Sequence, residues 1–249
     1  SGDEREISIV FADVRGFTEF IDSNHARAEE HLRQSKLQGA EADAWLDQQS
    51  REALQTVNLY LSTIADIIKK HTGTLDKYIG DCVMAFWGAP ITNEQHALSG
   101  VRAAIDAQRA IYKLNQQRFA ENQKREQEKA ARAGRGEVPL PPLPLLTLGS
   151  GVNTGIVTVG LMGSDTTLVN YTVFGRDVNL ASRLESVSGR GRIVIGENTF
   201  EGLRRHDAAL AATCLELPPV TVKGFREPVK IFEVPWKETE PAANPVSNG

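Results

Sequence analysis

Two stretches decide how this chain reads: Ile-Val-Phe-Ala-Asp-Val-Arg-Gly-Phe-Thr at 9–18 and Leu-Asp-Lys-Tyr-Ile-Gly-Asp-Cys-Val-Met-Ala-Phe at 75–86. Each sets an aspartate, Asp13 or Asp81, where an apolar, β-prone run ends or is interrupted, so each carboxylate emerges at the edge of a sheet interior. A carboxylate there is costly to desolvate unless a cation or a hydrogen-bond donor satisfies it. One such aspartate alone is most simply a cap or a buried hydrogen-bond acceptor. Two on neighbouring strands are the minimum that holds a pair of divalent cations over a triphosphate.

Outward from these stretches, residues 6–14 read as a buried strand, and Gly16-Phe17-Thr18 opens a helix whose free N–H groups make a phosphate site beside Asp13. Residues 24–50 read as an added polar helical excursion carrying Trp45. Leu54, Val57, Leu61, Ile64, Ala65 and Ile68 recur at helical spacing and predict an amphipathic helix, stopped at His71-Thr72-Gly73. Residues 74–79 and 82–87 predict a strand pair turning at Gly80-Asp81. A helix follows from about 94, with Ala97, Val101, Ala104, Ile105, Gln108 and Ile111 on one face. Its continuation, 115–137, is so polar that it reads as a solvated arm. The Pro-rich run 138–144 reads as an extended lead-in to the next strand.

In the second half, strands are expected at 146–153, 156–162 and 169–174, the first two joined as a hairpin at Asn153-Thr-Gly155. A helix at 177–187, a strand at 191–196, a short helix at 197–205 and closing strands at 213–217, 220–223 and 229–234 complete the order. That order predicts an α+β fold, a mixed sheet with helices on one face. Ser1-Gly2 resembles a tag-cleavage scar, so 1–5 read as linker, 6–236 as one domain and the Glu/Pro/Asn/Ser-rich 237–249 as a disordered tail.

Composition narrows the function classes. A net charge of −4 over 249 residues gives no electrostatic case for nucleic acid or an anionic membrane. No apolar run approaches the roughly 20 residues that cross a bilayer, and no signal-peptide pattern is present. Cys82 and Cys214, the two cysteines, form no CxxC pair, which fits a reducing compartment and excludes a disulfide framework. His25, His31, His71, His96 and His206 have no metal-ligand spacing. The expectation is a soluble catalytic piece of a longer protein, sited in the cytoplasm either free or as the cytoplasmic part of a membrane-anchored chain.

Six strings in one order, FADVRGFT, LDKYIGDCVMAFWG, GVNTGIVTVGLMGS, YTVFGRDVNLASRLE, GRIVIG and VTVKGF, resemble the catalytic domain of class III nucleotidyl cyclases across roughly 6–234. The resemblance implies a βαββαβ palm-like core and a head-to-tail homodimer with active sites at the interface. It implies that Asp13 and Asp81, with the Val14 carbonyl, hold two divalent cations, Mg²⁺ or Mn²⁺. Lys77 and Thr172 match the base-selecting pair of an adenylyl cyclase subgroup. Adenine N1 needs a donor where guanine N1–H needs an acceptor, so a lysine suits ATP. Asn179 and Arg183 match the pair that orients ribose and neutralises the α-phosphate. Gly16, Phe17, Thr18 and Lys223 match phosphate-binding positions. The resemblance thus implies ATP turnover to cyclic AMP, with a guanylyl cyclase or an inactive cyclase-homology module as alternatives. Two departures stand out: 165–170 lacks the basic residue many members carry there, and 24–50 and 115–145 are longer than usual.

Overall fold

The structure, a computed structural model, describes residues 2–137, 139–163 and 170–238. Strand β1 (Asp3–Arg15) is followed by α1 (Phe17–Gln34), α2 (Ala40–Lys70), the hairpin β2 (Thr74–Ile79) and β3 (Cys82–Trp87), and the long α3 (His96–Gly134). Then come β4 (Thr147–Met162), β5 (Asn170–Phe174), α4 (Arg176–Val187), β6 (Arg192–Gly196), α5 (Glu197–His206), α6 (Ala208–Thr213), β7 (Leu215–Val220) and β8 (Val229–Glu233). The sheet runs β2-β3-β1-β4-β6-β8-β7, with β5 paired to β4 outside that path. Among the described residues, only β4 and β6 run parallel; the other pairs are antiparallel, so the sheet is mixed as expected.

The apolar run of β1 is continuous because both of its faces are covered. Val10, Ala12 and Val14 pack with Tyr60, Ile64 and Ile68 of α2 and Val101 and Ala104 of α3. Ile7, Ile9 and Phe11 point the other way, to Met84, Phe86, Val157 and Ala181 of α4. The expectation of helices on one face therefore fails. α4 lies opposite α2 and α3, and Asp13, two residues beyond Phe11, shares the α4 face.

Further expectations are corrected. Residues 146–153 and 156–162 are not a hairpin but one strand, β4, paired with β1 from Arg15↔Thr147 to Asp3↔Val159. Asn153-Thr-Gly155 resembles a turn because both of its turn formers serve α4. Asn153 Nδ2 donates to the Asp177 carbonyl at 2.9 Å, and a Cβ on Gly155 would collide with the Asp177 carboxyl. Residues 3–5 belong to β1, and 220–223 form no separate strand. The arm 115–137 is not simply solvated. Asn115, Arg118, Asn122 and Arg125, on one face of α3, donate to the carbonyls of Leu146, Pro144, Leu143 and Pro141 at 2.6–3.0 Å. Prolines cannot donate but keep their carbonyls, so a polar helix face is what an extended Pro-rich segment needs beside it. Leu54, expected inward, is exposed, and the excursion 24–50 breaks between α1 and α2.

Gly151 sets how closely α4 lies on β4. A Cβ there would enter the α4 backbone at Glu185 and come within 2.6 Å of the Ala181 carbonyl. Gly151→Ala is expected to destabilise the domain by about 2–4 kcal/mol. Gly134→Ala, where a Cβ meets nothing within 4 Å, should be neutral or slightly stabilising. Chemical denaturation of both variants checks this; equal midpoints would contradict the close approach.

Candidate active site

β1 ends at Arg15 and β3 begins at Cys82, which brings the two predicted aspartates together. Asp13 lies opposite Cys82 in the β1–β3 register, and the Val14 N–H donates to the Asp81 carbonyl at 3.0 Å. Gly80, at φ 61°, makes the tight turn that brings Asp81 back to the end of β1. Arg15 then gathers the surrounding acceptors. Its guanidinium donates to Asp13 Oδ2 at 2.7 Å, Glu185 Oε2 at 2.9 Å, the Glu185 carbonyl at 2.6 Å and the Gly189 carbonyl at 3.1 Å.

Despite that guanidinium, the Asp13 carboxyl is pushed up to about 7. Burial is the largest cause, followed by a hydrogen bond with Asp81 and repulsion from Asp81 and Glu185; Arg15 opposes these and loses. Burial, with Glu185, Asp13 and Asp81 nearby, pushes the Cys82 thiol up to about 12, so it stays protonated as a packed core group. Ligand atoms of Asp13, Cys82 and Glu185 lie within 4.8 Å of one another. The Asp13 and Glu185 carboxyl groups on one guanidinium, with Asp81 beside Asp13, form an oxygen-rich, negatively biased donor set, which suits hard divalent cations. The residues present fit such a cation.

Gly16, at φ 85°, caps α1, and the Phe20 N–H bonds the Gly16 carbonyl at 2.9 Å. The N–H groups of Phe17 and Thr18 belong to the first turn, which has no partners of its own within the helix. Lys77 and Thr172 come together through a residue that the sequence reading did not single out. Thr172 Oγ1 donates to Asp76 Oδ2 at 2.8 Å, and Lys77 Nζ lies 4.0 Å from the same oxygen. Asn179 and Arg183 are both exposed on α4, one turn apart on the side away from Leu180 and Leu184. Lys223 is exposed in the β7–β8 connection, next to Val222, which packs with Leu180 and Leu184. Arg176 sits 5.1 Å over the Phe225 ring. Of the stretch lacking a basic residue, 165–170, residues 165–169 lie outside the described residues.

One chain therefore holds a carboxylate group at the β1–β3 end, a Lys77–Asp76–Thr172 group bridging β2 and β5, and two exposed polar side chains on α4. A cavity of about 380 Å³, lined by Glu6, Thr154, Arg176, Asp177, Asn198 and Arg205 among others, contains none of these residues. Sequence reasoning missed Asp76, Glu185 and the Arg15 side chain. Glu185 had a signal: it falls one turn after Ala181 on the sheet-facing side of α4, where a charge needs a partner.

The sequence model of the adenylate and guanylate cyclase catalytic domain matches residues 1–234. The chain belongs to that family. It is 27% identical over 232 residues to an adenylate cyclase of Anabaena cylindrica, covering 92% of this chain and 37% of that protein. It is also 27% identical over 137 residues to adenylate cyclase 1 of Rhizobium meliloti, covering 55% of this chain and 17% of that one. The chain thus spans well under half of these curated relatives. Among solved structures, it resembles the adenylyl cyclase CyaB from P. aeruginosa, with TM-score 0.69 and 30% identity over 96% of this chain and 97% of that one. The guanylyl cyclase Cya2 is similar with TM-score 0.64, also at 30% identity, over 94% and 93%. The mixed α+β fold is that of these cyclase domains. Among the described residues, no helix is long and apolar enough to cross a membrane.

The raised Asp13 carboxyl predicts how metal-free protein responds to pH. A folded value near 7 against an ordinary 3.8 means that the folded chain keeps a proton the unfolded chain releases. That contribution to stability is present in acid and is lost as pH rises from about 4 to about 7. Asp13→Asn should therefore raise the melting temperature of metal-free protein at pH 8 and leave it nearly unchanged at about pH 3.5, below the unfolded value. Equal shifts at both pH values in thermal melts would contradict the assignment.

Proposed function

We propose that the chain is an adenylyl cyclase catalytic domain, converting ATP to 3′,5′-cyclic AMP and pyrophosphate as a homodimer with two shared sites. The observation that carries the nucleotide choice is the joining of Lys77 and Thr172 through Asp76. It groups a cationic donor with a hydroxyl acceptor, which matches the N1 and 6-amino edge of adenine. Guanine presents an N1–H to the same lysine, donor against donor. Similarity alone does not choose between the nucleotides, since an adenylyl and a guanylyl cyclase of known structure are equally identical to this chain. The inactive-module alternative would gain from a missing aspartate or Arg183, and all three residues are present.

Asp13, Asp81 and the Val14 carbonyl are the residues that would hold two divalent cations. When bound, the cations supply Lewis acidity at the ribose 3′-oxygen and neutralise charge on the triphosphate. The chain's own groups do the rest. Backbone N–H groups at Gly16, Phe17 and Thr18, with Lys223, hold phosphate oxygens. Asn179 orients the ribose while the 3′-oxygen displaces pyrophosphate from the α-phosphorus in line. Arg183 carries a permanent, forked positive charge to the oxygens on which negative charge grows.

The dimer reading rests on exposed apolar side chains around this face: Tyr78 and Ile79 on β2, Leu161 and Met162 on β4, and Phe174 on β5. Large apolar side chains left exposed on these strands favour an interaction surface there. A second copy covering it would bring Asn179, Arg183 and the base pair of one chain toward the aspartates of the other. That arrangement would set groups from both chains around one nucleotide.

Purified protein with Mn²⁺ or Mg²⁺ and either ATP or GTP, with products separated chromatographically, tests the reading. Cyclic AMP is the expected main product. Asp13→Asn or Asp81→Asn should lower turnover at least about 100-fold while the protein stays folded. Lys77→Glu should cut ATP turnover and shift the ATP-to-GTP ratio toward GTP. A preference for GTP in the unaltered protein, or an unmoved ratio in Lys77→Glu, would overturn the adenylyl assignment.

A further inference from the structure

Asp76, which joins Lys77 to Thr172, has a side chain only 3% exposed, whereas that of its neighbour Lys77 is 47% exposed. The β2–β3 register shifts between Leu75 and Lys77, leaving Asp76 as the extra residue of a bulge. A bulge re-aims a side chain out of the ordinary alternation. This one turns a carboxylate inward against β5, where Thr172 is 2% exposed. A carboxylate so buried needs hydrogen bonds, and the Thr172 hydroxyl supplies one at 2.8 Å with its single hydrogen.

That bond has a chemical consequence for Thr172. A hydroxyl offers one hydrogen and two lone pairs, and by rotation it can serve either a donor or an acceptor. A carboxylate can only accept, so beside Asp76 the hydrogen of Thr172 is committed and the hydroxyl oxygen can offer only lone pairs. We propose that Asp76 is a positioning residue that makes Thr172 an acceptor only, so that the site takes purines with a 6-amino donor and rejects those with a 6-oxo group. The inference rests on the adenylyl reading of Lys77 and Thr172 and adds the residue that polarises the threonine. A 6-oxo oxygen would meet the Thr172 oxygen lone pair to lone pair. Without the carboxylate, the hydroxyl would rotate and donate to it.

The isosteric change Asp76→Asn tests this. An amide can accept from the hydroxyl or donate to it, so Thr172 regains its freedom to donate to a 6-oxo group. The readout is kcat/KM for ATP and for inosine triphosphate, the 6-oxo analogue without a 2-amino group. Lys77 Nζ lies 4.0 Å from Asp76 Oδ2, so any effect of the substitutions through Lys77 is removed by comparison with a Thr172→Val background. Asp76→Asn should raise inosine triphosphate use relative to ATP about tenfold, the worth of one net hydrogen bond. Asp76→Ala, which also frees the hydroxyl, should move the ratio the same way. In a Thr172→Val background no hydroxyl remains to reorient, so Asp76→Asn should leave the ratio unchanged. A purely structural role would lower both substrates together without moving the ratio. An unchanged ratio in Asp76→Asn, or an equal change with and without the Thr172 hydroxyl, overturns the inference while leaving the adenylyl reading intact. Failure of the unaltered protein to make cyclic AMP removes that reading, and this inference with it.

Discussion

Arg15 ties together the parts of the molecule on which everything else depends. Its guanidinium joins the last turns of α4, through the Glu185 side chain and carbonyl, to the end of the central strand at Asp13. The same group reaches the loop after α4 at Gly189. A half-buried guanidinium is costly unless its donors are met, and here charged or carbonyl oxygens meet several of them. The position of α4 against β1 and the charge balance around Asp13 are thus one constraint. Gly151 permits it sterically, since only a residue without a Cβ lets the α4 backbone lie on β4 at that point.

The same geometry explains why the carboxylate cluster is poised for a cation. One guanidinium does not neutralise Asp13, Asp81 and Glu185 together, and burial raises the cost of that imbalance. Added positive charge at this place is favourable for the fold as well as for chemistry. At the other group, the logic is reversed. Asp76 spends its acceptor capacity on a hydroxyl, with Lys77 nearby, so a neutral-looking threonine acquires a fixed polarity. Both groups use a buried carboxylate to set what a neighbouring atom can do.

Much of this was legible from residues alone, for definable reasons. β1 and β3 are apolar runs, and the Gly80-Asp81 turn between β2 and β3 sets Asp81 at the start of β3, opposite the end of β1 that carries Asp13. Lys77, Thr172, Asn179 and Arg183 were singled out by the resemblance of collinear strings to class III cyclases. The errors arose where a local signal served a distant partner. Asn153 and Gly155 look like a turn but accommodate Asp177 of α4. The polar face of α3 looks solvated but holds proline carbonyls. α6 is too short for periodicity, although Asp207, whose side chain accepts from the Leu210 N–H at 3.0 Å, is a capping signal that was there to be read. The roles of Asp76, Glu185 and Arg15 are choices of partner made by tertiary approach, which no spacing along the chain encodes.

The central claim is that the aspartates of one protomer act on a nucleotide held by the other. Mixing Asp13→Ala protein with Arg183→Ala protein tests it most directly. Each homodimer lacks a necessary group in both sites and should be inactive. Random exchange makes about half of the dimers mixed, each with one site missing both groups and one site complete. The account predicts recovery of about a quarter of the unaltered activity, lost again on dilution as dimers dissociate. Mixtures that stay inactive, although differently tagged protomers are shown to pair, would contradict it.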